Sequence, residues 1–257
     1  MFESVRKHPG PAFWWLGQHS FIAKLDRTVM LIDPFLDPME ERRVPPLFRC
    51  EDAAGIVDLV CCTHHHGDHI DPHAIPGLAK HTSARFVAPR AHAELMRSLE
   101  VTDDRLVTLN DGESAAVGSL TIHAIKAAHE FFDETPDGLF PFLGYVIEGA
   151  GKVLYHAGDT VWWEGLQGRL SAWSMDVALL PINGRDARRY ATDVLGNMTY
   201  QEAADLAGGL DVGLTVPTHY DMFDFNEEDP TLFVDYMKVK YPSRKIWVGA
   251  PTEAVVF

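Results

Sequence analysis

The sequence predicts an α/β fold with two sheets, folded as one unit over residues 1–257. Two observations carry this. Short runs of aromatic and β-branched residues come in two batches, one before residue 126 and one after residue 142, with helical segments dispersed through both. No repeat of 20–50 residues and no low-complexity linker divides the chain, whose 257 residues can bury one large core.

The opening strands are Phe13–Leu16, Phe21–Leu25 and Thr28–Ile32, broken by Gly17 and by Asp26-Arg27. Ile56–Thr63 is a continuous apolar run ending in a polar cluster, the pattern of a buried strand that feeds a loop. A helix follows Pro72, a short strand covers Phe86–Ala88, and a second helix covers Ala91–Leu99. Leu106–Leu109, Glu113–Val117 and Leu120–Ile125 read as strands, and Leu143–Glu148 and Lys152–His156 as a hairpin across Gly149-Ala150-Gly151. Val177–Pro181 and Leu214–Pro217 are buried strands. Between them Thr199-Tyr200-Gln201-Glu202 is a capping box that opens a helix to Leu210. Asp229–Lys240 makes the last helix, and Lys245–Val248 and Ala254–Phe257 close the chain as strands.

Acids outnumber bases 37 to 22, and the excess lies mostly in the second half. Such a surface repels phosphate backbones at long range, so neither nucleic acid nor an anionic membrane is an expected partner. The first ten residues lack the apolar stretch of a secretory leader, and no apolar run approaches the ~18 residues of a membrane span. The cysteines are Cys50, Cys61 and Cys62, an odd number with two adjacent in an apolar run, which is a poor disulfide framework. Buried thiols in a reducing cytoplasm are the expectation. A homo-oligomer is compatible with the sequence.

The 13 histidines are crowded rather than scattered. Thr63-His64-His65-His66-Gly67-Asp68-His69-Ile70-Asp71 packs four of them with an aspartate directly after a buried strand. Imidazole and carboxylate suit Zn, Mn or Fe better than thiolate-preferring metals. In an extended loop His64 and His66 point the same way and can share one metal, while Gly67 lets the chain turn so that Asp68 and His69 reach a second. One loop cannot close two coordination spheres. His129 in Ala127-Ala128-His129-Glu130, Asp159 in His156-Ala157-Gly158-Asp159-Thr160 and His219 in Pro217-Thr218-His219-Tyr220 each lie past the end of an apolar run, where further ligands are expected.

The order His64-x-His66-x-Asp68-His69, then His129, Asp159 and His219, resembles the metallo-β-lactamase superfamily. Trp14-Trp15-Leu16-Gly17, Ile122-His123-Ala124, Pro136-Asp137-Gly138, Leu154-Tyr155-His156 and Asp176-Val177-Ala178-Leu179 resemble its ascorbate 6-phosphate lactonase-like branch. The resemblance implies an αββα sandwich of two mixed sheets flanked by helices, with two divalent ions per chain at one edge. It implies that His64, His66 and His129 hold the first ion, that Asp68, His69 and His219 hold the second, and that Asp159 bridges them. It also implies that Asp33, in Leu31-Ile32-Asp33-Pro34, supports the site from behind the ligands. The expected chemistry is hydrolysis by a hydroxide held between the ions, with Asp68 and Asp159 as the catalytic carboxylates.

Other residues carry weaker signals. Arg185, with Arg188 and Arg189, follows Asn183 at a strand end, and in so acidic a half this cluster reads either as a seat for a substrate anion or as a solvated loop. Asn183 and Trp162 are further candidate substrate contacts, Trp162 being equally a core residue at a helix start. His19 is expected to support the ligands or touch substrate, and Phe131–Phe142 to form a loop over the site or a plain connector. The leading function is a lactonase- or esterase-like hydrolase of a small substrate, with an anionic one open as an option. The alternatives are a phosphodiesterase and a metal-binding protein without activity.

Overall fold

Along Ala12-Phe13-Trp14-Trp15 successive side chains take opposite faces of one strand. Phe13 and Trp15 join the larger apolar core, and Ala12 and Trp14 the smaller one. The computed structural model describes residues 1–257 and repeats this division across its first sheet. The strands in chain order are β1 (Ala12–Trp15), β2 (Phe21–Leu25), β3 (Thr28–Ile32), β4 (Leu59–Cys61), β5 (Arg85–Pro89) and β6 (Leu106–Leu109). They continue as β7 (Ser114–Val117), β8 (Leu120–Lys126), β9 (Leu143–Gly149), β10 (Lys152–His156), β11 (Val177–Pro181), β12 (Leu214–Thr218), β13 (Lys245–Ile246) and β14 (Ala254–Val256). One seven-stranded sheet has the order β14-β1-β2-β3-β4-β5-β6 and the other β13-β12-β11-β10-β9-β8-β7.

The helices are α1 (Phe2–Lys7), α2 (Ala74–His81), α3 (Ala93–Ser98), α4 (Leu166–Leu170), α5 (Ala187–Tyr190), α6 (Tyr200–Gly209) and α7 (Pro230–Lys240). Phe2 and Val5 of α1, Ile75 and Leu78 of α2 and Met96 of α3 pack with Trp14, Ile22, Leu31, Val60 and Phe86 on one face of the first sheet. The opposite face, with Phe21, Met30 and Leu59, packs against Ile122, Tyr145 and Leu154 of the second sheet. Leu166 of α4, Leu206 of α6 and Phe233 of α7 extend that same core. The result is an αββα sandwich of two mixed sheets, as expected.

Pairing directions decide where the functional groups emerge. β3 pairs parallel with β4, while β1 pairs antiparallel with β2 and β2 with β3, so β1, β3 and β4 run the same way. In the second sheet β8 and β10 each pair antiparallel with β9, and β10, β11 and β12 are mutually parallel, so β8, β10 and β12 also share a direction. The chain leaving each of these six strands carries one of the candidate residues.

The predicted boundaries shift where packing replaces pairing. Ile56 and Val57 are buried ahead of β4 rather than within it, and Lys245–Val248 shortens to two paired residues. The short helices α1, α4 and α5 were not foreseen, since four to six residues are too few to show a 3.6-residue period. The capping box at Thr199 and Glu202 is formed in both directions, as read. No helix is long and apolar enough to cross a membrane.

Candidate metal centre

Asp33 follows β3 with a left-handed backbone (φ 44°) that a short acceptor side chain tolerates. It is fully buried, and it takes three hydrogen bonds from the loop after β4. Thr63 N–H reaches Oδ1 at 2.8 Å, while Thr63 Oγ1 and His69 Nδ1 both reach Oδ2 at 2.7 Å. With Nδ1 donating to Asp33, Nε2 is the nitrogen of His69 left to face the cluster. Thr63 Oγ1, already a donor to Asp33, accepts from His64 Nδ1 at 3.0 Å and so leaves His64 Nε2 free as well. His129 is fixed in the same way, Nδ1 lying 3.1 Å from the Gly196 carbonyl.

The free atoms converge. His64 Nε2 is 3.1 Å from His66 Nδ1, and His129 Nε2 is 3.6 Å from Asp159 Oδ2. His69 Nε2 is 3.4 Å from Asp159 Oδ1 and 3.5 Å from Asp68 Oδ2, and His219 Nε2 is 3.2 Å from Asp159 Oδ2 and 3.6 Å from Asp68 Oδ2. Three interlocking clusters result: His64, His69 and Asp159; His66, His129 and Asp159; Asp68, His69 and His219. Ligands ~2.1 Å from a tetrahedral cation lie about 3.4 Å apart, close to these spacings. His69 Nε2 and Asp159 Oδ1 are buried with no hydrogen-bond partner, which is costly for bare polar atoms and ordinary for metal ligands. The donor set and the orphaned atoms therefore fit divalent cations.

Burial and charge prepare the ligands. Burial pushes His64 well below its usual pKa, and it pushes His66 down to about 4, so both imidazoles are neutral at pH 7. Burial opposes charge on His69 too, but Asp68, Asp159 and Asp33 outweigh it and hold that imidazole well above its usual value. Burial would also raise Asp159, yet His219 and His69 keep its carboxyl well below the ordinary range. A cation arriving at His69 therefore displaces a proton.

Asp159 reaches the cluster because Gly158 (φ 61°) turns the chain hard against β9. A Cβ there would sit 2.6 Å from the Leu143 carbonyl oxygen. Phe142 closes the cluster from beneath, its ring 4.9 Å from that of His64 and 5.5 Å from that of His129. Above it lies a cavity of about 420 Å³, onto which His66, Asp68, His129, Asp159 and His219 open.

Gln18 is the site residue that the sequence reading missed. It leaves β1 with φ 53°, and its side chain lines the cavity. Its Nε2 donates to Asp68 Oδ2 at 2.9 Å and lies 3.1 Å from His219 Nε2, while its carbonyl accepts from His219 N–H at 3.1 Å. The only available signal was its place two residues before Ser20, beside the His19 already singled out. His19 itself is fully buried behind the site: its Nδ1 is 2.8 Å from Thr218 Oγ1, and its ring stands edge-on to His156 at 4.1 Å.

The structure does not bring Arg185, Asn183 or Trp162 to the cavity. Both terminal nitrogens of Arg185 donate to Glu202 at 2.7 Å, and one also reaches the Asn197 carbonyl, so the guanidinium is consumed by the end of α6. Asn183 is buried between Asn226 and Asn197. Trp162 packs at the edge of the larger core. The segment 131–142 contributes Phe142 below the histidines but does not wall the cavity. Arg188 and Arg189 lie in the short helix α5, capped by Asp186, which accepts from their backbone N–H groups.

The chain is similar in sequence and fold to known proteins. The family described as Beta-lactamase superfamily domain matches residues 28–220, a span that contains every candidate ligand. A UPF0173 protein of Pyrococcus furiosus is 30% identical over 237 residues, covering 91% of this chain and 92% of its own length. A UPF0173 metal-dependent hydrolase of Rubrobacter xylanophilus is 32% identical over 229 residues, covering 87% of each. Among solved structures, the metallo hydrolase Igni18 of Ignicoccus hospitalis superposes with a TM-score of 0.73 at 26% identity, covering 96% of this chain and 98% of that one. The chain belongs to the beta-lactamase superfamily, with the metallo-β-lactamase fold, and within it to the UPF0173 metal-dependent hydrolases.

Proposed function

We propose that this chain hydrolyses the ester or lactone bond of a small molecule, as the lactonase-like resemblance implies, with two divalent cations. His64, His66 and His129 would hold one, Asp68, His69 and His219 the other, and Asp159 would lie between them. The observation that carries this reading is the set of three ligand clusters joined through His69 and Asp159 on the floor of one cavity. Divalent cations on such donors polarise a substrate oxygen and lower the pKa of water toward ~7. The protein's own part is preorganisation. Asp33, Thr63 and the Gly196 carbonyl fix which nitrogen of His69, His64 and His129 faces inward, and Phe142 packs against the rings of His64 and His129. Asp68, open to the cavity and aimed by Gln18, remains ionised and can accept a hydrogen bond from the attacking water.

The test is metal content followed by turnover. Near two ions per chain by mass spectrometry, with hydrolysis of a lactone or ester panel, is the expected result. Turnover of bis(p-nitrophenyl) phosphate alone would assign the phosphodiesterase reading instead. A folded, metal-supplied chain that binds no ion would overturn both.

A further inference from the structure

We infer that the molecule cleaved carries an uncharged, apolar arm, alkyl or aryl, with no anionic group remote from the scissile bond. This deepens the hydrolase reading and rests on it. The wall of the cavity away from the ligands is made by Phe35, Met39, Val194, Leu195, Phe223 and Phe225. Phe223 and Phe225 stack with centroids 5.1 Å apart, and Phe35 lies 6.1 Å from Phe223. Phe35, Met222 and Phe223 form a third apolar cluster, separate from both cores of the sandwich, so this wall is built at the mouth of the site rather than borrowed from the interior. Phe225 and Leu195 remain 45% and 43% exposed, which is wasteful on a strongly acidic surface unless something apolar covers them.

Charge points the same way. No lysine or arginine lines the cavity, and its remaining charged residues, Asp37 and Asp193, are acidic. Four of the nearby arginines are held by other groups, and a fifth, Arg188, is exposed on α5 and reaches only the Asp224 carbonyl at 3.4 Å. Arg42 donates to the carbonyls of Phe35, Asp37 and Val44, and Arg43 pairs with Asp224 and Glu227. Arg185 is held by Glu202, and Arg189 by Asp186, Asn226 and the Glu227 carbonyl. A carboxylate or phosphate at the far end of a substrate would lose water against aromatic rings and gain no cation. A methylene buried there instead raises kcat/KM by up to about fourfold.

A matched set of p-nitrophenyl esters tests this on the metal-loaded protein: acetate, hexanoate and the adipate half-ester, in which a carboxylate replaces the terminal methyl of the hexanoate chain. Hexanoate should exceed adipate in kcat/KM by roughly tenfold or more. Phe225→Ala should lower the hexanoate-to-acetate ratio about fivefold, and Leu195→Arg should narrow the gap between hexanoate and adipate. Adipate turned over as well as hexanoate, or a ratio indifferent to Phe225→Ala, overturns the inference. If no ester is cleaved, the ester reading fails, and binding decides the wall by itself. Saturation-transfer NMR should then show 6-phenylhexanamide contacting the protein more strongly than adipamic acid, with the contact weakened by Phe225→Ala. Equal or reversed binding overturns the inference.

Discussion

Asp33→Asn removes one charge and leaves the shape of a fully buried side chain, so it isolates what the carboxylate does for the metal centre. The carboxylate accepts from Thr63 N–H at 2.8 Å, and from Thr63 Oγ1 and His69 Nδ1 at 2.7 Å each. An asparagine offers one acceptor oxygen and two N–H donors. If its oxygen stays on Thr63 N–H, its amide nitrogen faces His69 Nδ1 and donates to it. His69 can then carry no proton on Nδ1 and keeps its proton on Nε2, the atom that should face a cation 3.4 Å from Asp159 Oδ1. If the amide is turned over, Thr63 N–H is left buried and unpaired. Either outcome loses at least one charge-assisted bond, about 2–3 kcal/mol, which for a chain of this size lowers Tm by roughly 4–12 °C. The larger expected effect is on the metal, a 10–100-fold weaker Kd at the Asp68, His69 and His219 cluster. Calorimetric titration with Zn²⁺ or Mn²⁺ reads the affinity, and ¹⁵N shifts of the imidazoles read the tautomer. An Asp33→Asn protein with unchanged metal affinity and His69 still protonated on Nδ1 would refute the reasoning.

Asp159→Ala should abolish turnover and release at least one ion, because its two oxygens face four histidines; metal analysis showing full occupancy with normal rates would contradict this. Gln18→Ala, which strips Asp68 of its amide donor, should weaken metal binding about tenfold, checked by competition with a chromogenic chelator. Arg185→Ala should lower stability by about 1 kcal/mol and shift KM for anionic and neutral substrates alike, since the guanidinium serves Glu202 and not the cavity. Burial acts against it, but Arg185 and the Thr199 N–H hold the Glu202 carboxyl below its usual pKa. Its folded value therefore lies below its unfolded value of ~4.3, the stabilisation is complete above that pH, and it fades as pH falls through the folded value. Urea midpoints of wild type and Arg185→Ala should accordingly converge in acid. Cys61 and Cys62, whose thiols burial raises far above the reactive range, should resist a thiol reagent until the chain is denatured.

The parts of this molecule legible in its sequence are those written in residues near one another. His64, His66, Asp68 and His69 fall within six positions, and the capping box of α6 within four. His129, Asp159 and His219 could be picked out because each follows an apolar strand, and the structure brings all three to the loop. The short helices left no periodic trace. Arg185 misled for a different reason: a cationic cluster in an acidic half looks available, and only the fold shows Glu202 already holding it. Gln18 was illegible because an amide has no chemistry of its own to advertise. It matters through φ 53° and a 2.9 Å contact across some fifty residues of sequence.

The two sheets explain why so dispersed a ligand set assembles at all. β1, β3 and β4 deliver Gln18, Asp33 and the His64–His69 loop from one sheet, and β8, β10 and β12 deliver His129, Asp159 and His219 from the other. Neither sheet alone supplies a closed coordination sphere: Asp159 must cross to His64 and His69, and His219 to Asp68. Metal binding therefore ties the two halves of the sandwich together at one edge, and the mutual repulsion of Asp68 and Asp159, offset by cations, becomes a cross-link. Removal of metal should loosen that edge first. Hydrogen exchange after chelation should rise at residues 64–69, 158–160 and 218–220 before it rises in β2, β9 or β11, whose packing does not depend on the ligands.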